Sequence, residues 1–165
     1  MSFSSMHMFF DEVEVGQEWE SPGRTLTEAD IVNYAGVSGD FNAIHIDHHY
    51  AKTTPFRKPI AHGVLILSFA TGFSMYNPPM RTIAFLKIRE LNFLHPVFIG
   101  DTVHLKSKLI EMNIRSRGRR AEIVWQRSMV NQDGKVVQEG IFHTLVEGRA
   151  LHEKTNVVGE EGGEG

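Results

Sequence analysis

An acid and a histidine that could exchange protons lie close together in the first third of the chain. Asp40 and His45 are five positions apart, with Asn42 between them. Five positions place two side chains about 140° apart on a helix and on opposite faces of a strand. Only an irregular loop lets both side chains converge, and then they could add or remove water next to a carbonyl as general acid and base. The residues alone are equally consistent with purely structural roles, in which Asp40 closes a turn and His45 lies on the surface or in the core.

A second cluster, Ala61-His62-Gly63, opens an apolar run about as long as a helix. The first backbone N–H groups of a helix have no internal partners and lie at the positive end of its dipole, so they can stabilise a developing oxyanion. Glycine at that position lets a ligand approach closely. The alternative is that Gly63 is a glycine tolerated in the first turn for packing.

Other chemistries find less support in the sequence. A metal cluster could be formed from five residues with ligand side chains: His45, Asp47, His48, His49 and His62. However, the adjacent pair His48 and His49 should diverge, and neither an HExxH pattern nor paired cysteines are present, so we expect no metal. The chain also lacks the Gly-x-Ser-x-Gly pattern of serine hydrolases.

The composition is that of a globular domain with a sizeable core. The 165 residues are 41% hydrophobic, and 17 basic against 20 acidic side chains give a formal charge of −3. We therefore expect neither a nucleic-acid partner nor a membrane partner. There is no cysteine and no recognisable secretory signal, which favours a cytoplasmic location.

The order of predicted elements indicates an α+β domain. A capping box at Thr27-Glu28-Ala29-Asp30 predicts a helix that ends near 36–39, and Asp47 is a candidate cap for a short helical turn over 48–52. Residues 62–76 are apolar almost all round, as in a helix buried on every side. A short strand is expected near 18–26 and four long strands in a meander over 82–94, 101–114, 119–131 and 135–146, with Asp133-Gly134 as a hairpin turn. One domain over 1–150 and a disordered acidic, glycine-rich tail over 151–165 complete the prediction.

The sequence resembles the MaoC-like, (R)-specific enoyl-CoA hydratase family. The resemblance is carried by Tyr34-Ala35-Gly36-Val37-Ser38-Gly39-Asp40-Phe41-Asn42-Ala43-Ile44-His45-Ile46-Asp47, by Pro59-Ile60-Ala61-His62-Gly63 and by Pro96-Val97-Phe98-Ile99-Gly100-Asp101. It spans residues 10–147, and Ala43 stands where the family often has proline. It implies the hot-dog fold, in which a curved antiparallel sheet surrounds a long central helix.

The resemblance also implies an activity. The family hydrates trans-2-enoyl-CoA to (R)-3-hydroxyacyl-CoA, or runs the reverse dehydration, with Asp40 and His45 as the catalytic pair. The Gly63 N–H would stabilise the oxyanion, and His62 would belong to the same oxyanion and substrate-binding group. Asn42 would orient the loop or the histidine. Coenzyme A is part of the substrate, no further cofactor is implied, and a homodimer or higher homo-oligomer is expected.

Several alternatives remain open at this point. The substrate could be held by an acyl carrier protein, or could be a branched or dicarboxylic enoyl-CoA of the mesaconyl type. Outside hydration, the chain could be a non-catalytic acyl-CoA-binding subunit or a thioesterase.

Overall fold

The computed structural model describes residues 7–150, and these residues form one antiparallel sheet packed on helices. The strands are β1 (Glu18–Glu20), β2 (Arg24–Thr25), β3 (Thr82–Phe93), β4 (Thr102–Arg115), β5 (Arg120–Asn131) and β6 (Val136–Glu147). The helices are α1 (Glu28–Ser38), α2 (Ala43–Ile46), α3 (His48–Ala51) and α4 (Gly63–Phe73), with 3-10 turns at Phe10–Glu12 and Ser116–Gly118. The α+β class is confirmed, while the tail predicted over 151–165 lies outside the described residues. None of the helices within 7–150 is long and apolar enough to cross a bilayer.

The sheet order is β1-β4-β5-β6-β3, with β2 also paired to β4. Strands β4, β5 and β6 form a meander, and the connections between them turn at Gly118 and Gly134, both with positive φ. The expected four-strand meander is wrong for β3, which pairs with β6. The other side of β4 is paired with β2 at residues 102–103 and with β1 at residues 106–108. Because β6 is its one partner among the described strands, the 12-residue strand β3 forms an edge of the sheet.

Local capping explains where the first helices begin and end. In α1, the Asp30 N–H donates to the Thr27 hydroxyl and the Thr27 N–H donates to the Asp30 carboxylate, so the predicted capping box is present. The helix ends at Gly39, whose φ of 76° reverses the chain. Asp47 caps α3, and the hydrogen bond donated by the Tyr50 N–H holds the pKa of Asp47 below its usual value.

Helix α4 packs one side against the inner face of the sheet. Its buried residues Leu65, Ile66, Phe69 and Ala70 belong to a core cluster that includes Leu105 of β4 and Met129 of β5. The prediction of burial on every side is wrong for the single chain, because the sheet covers only part of the helix surface. A stripe at positions i, i+4 and i+8 is exposed, and its members are Val64, Ser68 and Gly72.

One charged side chain is buried beside a second core cluster, which includes Trp125 and Phe142. Arg127 of β5 is 4% exposed, and its guanidinium lies 5.3 Å from the Trp125 ring centroid and 5.2 Å from that of Phe142. Within residues 7–150 no carboxylate lies within ion-pair distance of it, and its Nε–H has no acceptor. Burial lowers the pKa of Arg127 to about 9. The two aromatic rings offset only part of the cost of removing this cation from water.

Replacing Arg127 with methionine should therefore leave the free energy of unfolding unchanged or raise it by about 1–4 kcal/mol at pH 7. Because the pKa of Arg127 is lower in the folded state, the penalty is complete below about pH 9 and declines as pH rises above that value. Urea unfolding of R127M and wild type at pH 7 and pH 10 measures both effects. A loss of several kcal/mol at pH 7 would show that the guanidinium stabilises the core.

Candidate active site

The loop after α1 fixes the orientation of the Asp40 carboxylate. The Asp40 N–H donates to the Ser38 hydroxyl at 3.2 Å, just after the left-handed turn at Gly39. The Asn42 N–H donates to Asp40 Oδ1 at 3.2 Å. One carboxylate oxygen is thus engaged by the backbone, and Oδ2 is left to face His45.

His45 lies on the short helix α2, and a backbone carbonyl determines its tautomer. Its Nδ1 is 2.8 Å from the Ile60 carbonyl oxygen. Because a carbonyl only accepts, Nδ1 carries the hydrogen and donates it, so Nε2 of the neutral ring has a free lone pair. Nε2 lies 4.0 Å from Asp40 Oδ2. This gap is too long for a direct hydrogen bond and suits one water bonded to both atoms.

His62, which precedes α4, is hydrogen-bonded to the loop that carries Asp40. Its side chain is 2% exposed, and its Nε2 donates to the Asp40 carbonyl oxygen at 2.9 Å. Its ring also stacks on the His45 ring, with 3.8 Å between centroids. The side chain therefore contacts the peptide of Asp40 and the ring of His45, which makes it a support for both candidate groups.

Asn42 acts on the local backbone. Its side-chain oxygen accepts the Ile44 N–H at 3.2 Å and caps α2. The cap starts the helical turn that carries His45 at its third position. Asn42 therefore links the two candidate residues, with its backbone N–H on Asp40 and its side chain on α2.

Gly63 is the first residue of α4, and two strands contact it closely. A Cβ placed on Gly63 would come within 2.5 Å of the Phe93 ring at the end of β3. On β6, Gln138 donates its Nε2–H to the Gly63 carbonyl oxygen at 2.9 Å. The Gly63 N–H belongs to the first turn of the helix and has no intrahelical acceptor, so it can bind an oxyanion.

His45 and Gly63 line one cavity of about 480 Å³. Its other walls are mostly apolar and come from the loop before α4, from α4 itself, from the β3–β4 connection and from β6; they include Phe56, Ile60, Val64, Ile66, Phe93, Leu94, Pro96, Val97 and Val137. The polar side chains on its lining are His45, His95 and Gln138. A mostly apolar cavity lined by His45, one member of the possible acid–base pair, can hold an acyl chain with its reactive end near that residue.

Sequence reasoning missed Ile60, Phe93 and Gln138. The role of Ile60 depends on its backbone carbonyl, which no side-chain pattern reveals. Phe93 and Gln138 reach Gly63 from strands that are distant in sequence. Gln138 did leave one signal, because it is a polar residue at an inward-facing position of β6.

Three side chains could hold a metal ion. Asp40, His45 and His62 each offer a ligand atom, and these atoms all lie within 4.8 Å of one another. However, His45 Nδ1 and His62 Nε2 are both engaged by backbone carbonyls. Any metal would therefore have to use the remaining nitrogens of two stacked rings, whose lone pairs lie in their own ring planes.

Comparison with known proteins identifies the family. The MaoC-like domain matches residues 11–129. The chain is 32% identical over 141 residues to the (R)-specific enoyl-CoA hydratase of Rhodospirillum rubrum, covering 86% of this chain and 93% of that protein. It is 37% identical over 98 residues to Protein MaoC of Klebsiella aerogenes, covering 59% of this chain but only 29% of that protein.

The fold agrees with this result. The structure of a monoamine oxidase regulatory protein from Archaeoglobus fulgius superimposes with a TM-score of 0.78 at 32% identity, covering 86% of this chain and 95% of that one. The chain belongs to the MaoC-like domain family. Its domain therefore has the hot-dog fold and is of the hydratase and dehydratase class, the hydro-lyases.

The close contact at Gly63 makes a specific prediction. Gly63→Ala should lower hydratase kcat/KM by about 10–100-fold, since its Cβ has to displace either Phe93 or the start of α4. The double variant G63A/F93A should recover part of the loss, because the contact is then removed. Steady-state kinetics of the three proteins measure this.

Gly72→Ala is the matched control in the same helix, because a Cβ at Gly72 meets nothing within 4 Å. It should keep full activity and gain about 0.5–1 kcal/mol of stability. Equal activity of G63A and G72A would contradict the proposed importance of the contact at Gly63.

Proposed function

We propose that the protein hydrates trans-2-enoyl-CoA to (R)-3-hydroxyacyl-CoA and catalyses the reverse dehydration. The observation that carries this proposal is the 4.0 Å gap between Asp40 Oδ2 and His45 Nε2. Both atoms accept hydrogen bonds, so a water in the gap donates one O–H to each. Its oxygen lone pairs then point away from the pair, toward a substrate in the cavity.

The proton count of the reaction fits this arrangement. As the water oxygen bonds to C3, the acid–base pair takes one proton from the water, and the pair returns one proton to C2. The C2=C3 π bond is consumed, the hydroxyl remains on C3 and Asp40 and His45 end as they began. A positioned acid–base pair of this kind contributes about 100–10,000-fold to the rate.

The negative charge that develops on the thioester oxygen has a candidate hydrogen-bond donor at the start of α4. During attack at C3, negative charge moves through C2 to the thioester oxygen. The Gly63 N–H at the start of α4 would stabilise that charge with the help of the helix dipole. The thioester itself acidifies C2, so we propose a reaction that uses no metal and no cofactor apart from the coenzyme A of the substrate.

Asp40→Asn and His45→Gln should each lower hydration by about 100–10,000-fold without unfolding the protein. The double variant should be little worse than either single variant, because both groups act on one water. Loss of the conjugated enoyl absorbance of crotonyl-CoA measures the rate, and circular dichroism checks the fold.

His48→Gln is the matched control for this test. His48 is a nearby exposed histidine that bonds to Glu28 at 2.7 Å, outside the pair, and its variant should keep full activity. Near wild-type rates in both D40N and H45Q would reject the mechanism. Release of free thiol in place of hydration would favour a thioesterase.

We further propose that the active unit is a homodimer joined at the edge of the sheet. Strand β3 has no neighbour on its outer side within the described chain, and unpaired edges are normally covered or paired. Large apolar side chains are exposed on β3 and just after it, namely Ile83, Phe85, Leu86, Phe93 and Leu94. Since Phe93 and Leu94 also line the cavity, a partner at this edge would lie next to the acyl site.

Ile83→Lys should therefore weaken the dimer and lower specific activity at high dilution, since it places a charge on the pairing edge. Ile114→Lys is the control, because Ile114 is also exposed but lies on β4, which β5 and β6 separate from β3 in the sheet order. Sedimentation velocity and activity are measured over the same concentration series. A wild-type monomer with full activity would contradict the dimer proposal.

A further inference from the structure

A polar residue near the start of β6 lines the otherwise mostly apolar cavity. Gln138 is 3% exposed and lines the same cavity as His45 and Gly63. Its neighbours on that wall, Phe93 and Val137, are apolar. The Oε1 atom of Gln138 is buried and accepts no hydrogen bond from any residue that the structure describes.

The orientation of the Gln138 amide is fixed by its other end. The group 2.9 Å from the Gly63 carbonyl oxygen has to be a donor, because a carbonyl only accepts. That group is Nε2, and Oε1 is therefore the free end. A buried carbonyl oxygen without a donor costs about 1–3 kcal/mol, so a small shift of the Gln138 side chain that brings Oε1 to an N–H or O–H of a ligand in the cavity is favourable.

The acyl chain and the pantetheine arm of an enoyl thioester differ in the hydrogen-bond donors that they can present to Gln138 Oε1. A simple enoyl chain carries only C–H groups. The pantetheine arm carries an amide N–H four bonds from the thioester carbon, beyond the sulfur. If the thioester oxygen lies on the Gly63 N–H, this amide falls close to Gly63 and thus close to the Gln138 side chain bonded to it.

We propose that Gln138 Oε1 accepts a hydrogen bond from the pantetheine amide N–H nearest the sulfur. This inference rests on the proposed function and adds a binding site for the arm to it. Because the same arm joins acyl groups to coenzyme A and to carrier proteins, the contact recognises both kinds of thioester. Specificity for the acyl chain then comes from the apolar walls.

The test compares two substrates that differ in one group. The first is the but-2-enoyl thioester of N-acetylcysteamine, and the second has a CH2 in place of the amide N–H. Wild type should prefer the first by about 3–10-fold in kcat/KM, the range expected for one net hydrogen bond. In Gln138→Met this preference should fall to about one, while any effect of losing the bond to Gly63 applies to both substrates equally.

Gln126→Met is the matched control, because Gln126 is an exposed glutamine on β5, and it should keep the wild-type preference. The proposal would be overturned if wild type showed no preference for the substrate with the amide N–H, a result that needs no variant. It would also be overturned if that preference survived in Q138M. A third substrate carries a 5-hydroxypent-2-enoyl chain in place of the pent-2-enoyl chain. If wild type prefers the hydroxylated chain and Q138M does not, Gln138 binds the acyl chain instead of the arm. Failure of the hydration mechanism would be visible separately, as activity that remains in D40N and H45Q.

Discussion

Two hydrogen bonds from histidine rings to backbone carbonyls hold the candidate site together. His45 donates to Ile60, and His62 donates to Asp40. The first fixes which nitrogen of His45 has a lone pair, and the second ties the peptide of Asp40 to the residue before α4. Without them, the loop after α1 and the one-turn helix α2 would have to position two side chains by themselves, at a cost in conformational entropy.

The sheet contributes by fixing the start of α4. Phe93 from β3 and Gln138 from β6 both contact Gly63, so the first turn of the helix is held by the two strands at one edge of the sheet. The candidate oxyanion donor and the candidate acid–base pair are therefore supported by the same few residues. The distance between them depends on packing across the sheet as well as on the loop.

The sequence was sufficient to predict the elements whose signals are local. The capping box at Thr27, the turns at Gly118 and Gly134 and the limits of the four long strands follow from neighbouring residues, and the structure confirms them within a few positions. Spacing alone also indicated that only a loop could bring Asp40 and His45 together. The place of β3 beside β6 could not be predicted, because it depends on which strands already occupy the other edge.

Non-local contacts limited the prediction of the site as well. The exposed stripe on α4 and the contact of Gln138 with Gly63 both depend on how the helix lies on the sheet. Composition places apolar residues in a core, but it does not say which side of a helix the sheet covers. The burial of Arg127 is a further case, because a sequence pattern gives no reason for an arginine to be buried against two aromatic rings.

If Asp40 and His45 hold one water on one face of the substrate, both parts of that water add to the same face, and the stereochemistry of addition tests this most directly. Crotonyl-CoA hydrated in D2O should give a product with (R) configuration at C3 and a single deuterium at C2, on the same face as the new hydroxyl. Chiral chromatography of the isolated product measures the configuration at C3, and proton NMR coupling constants measure the face of the deuterium relative to the hydroxyl. Deuterium on the opposite face, or on both faces equally, would require a proton donor other than this pair and would contradict the proposed roles of Asp40 and His45.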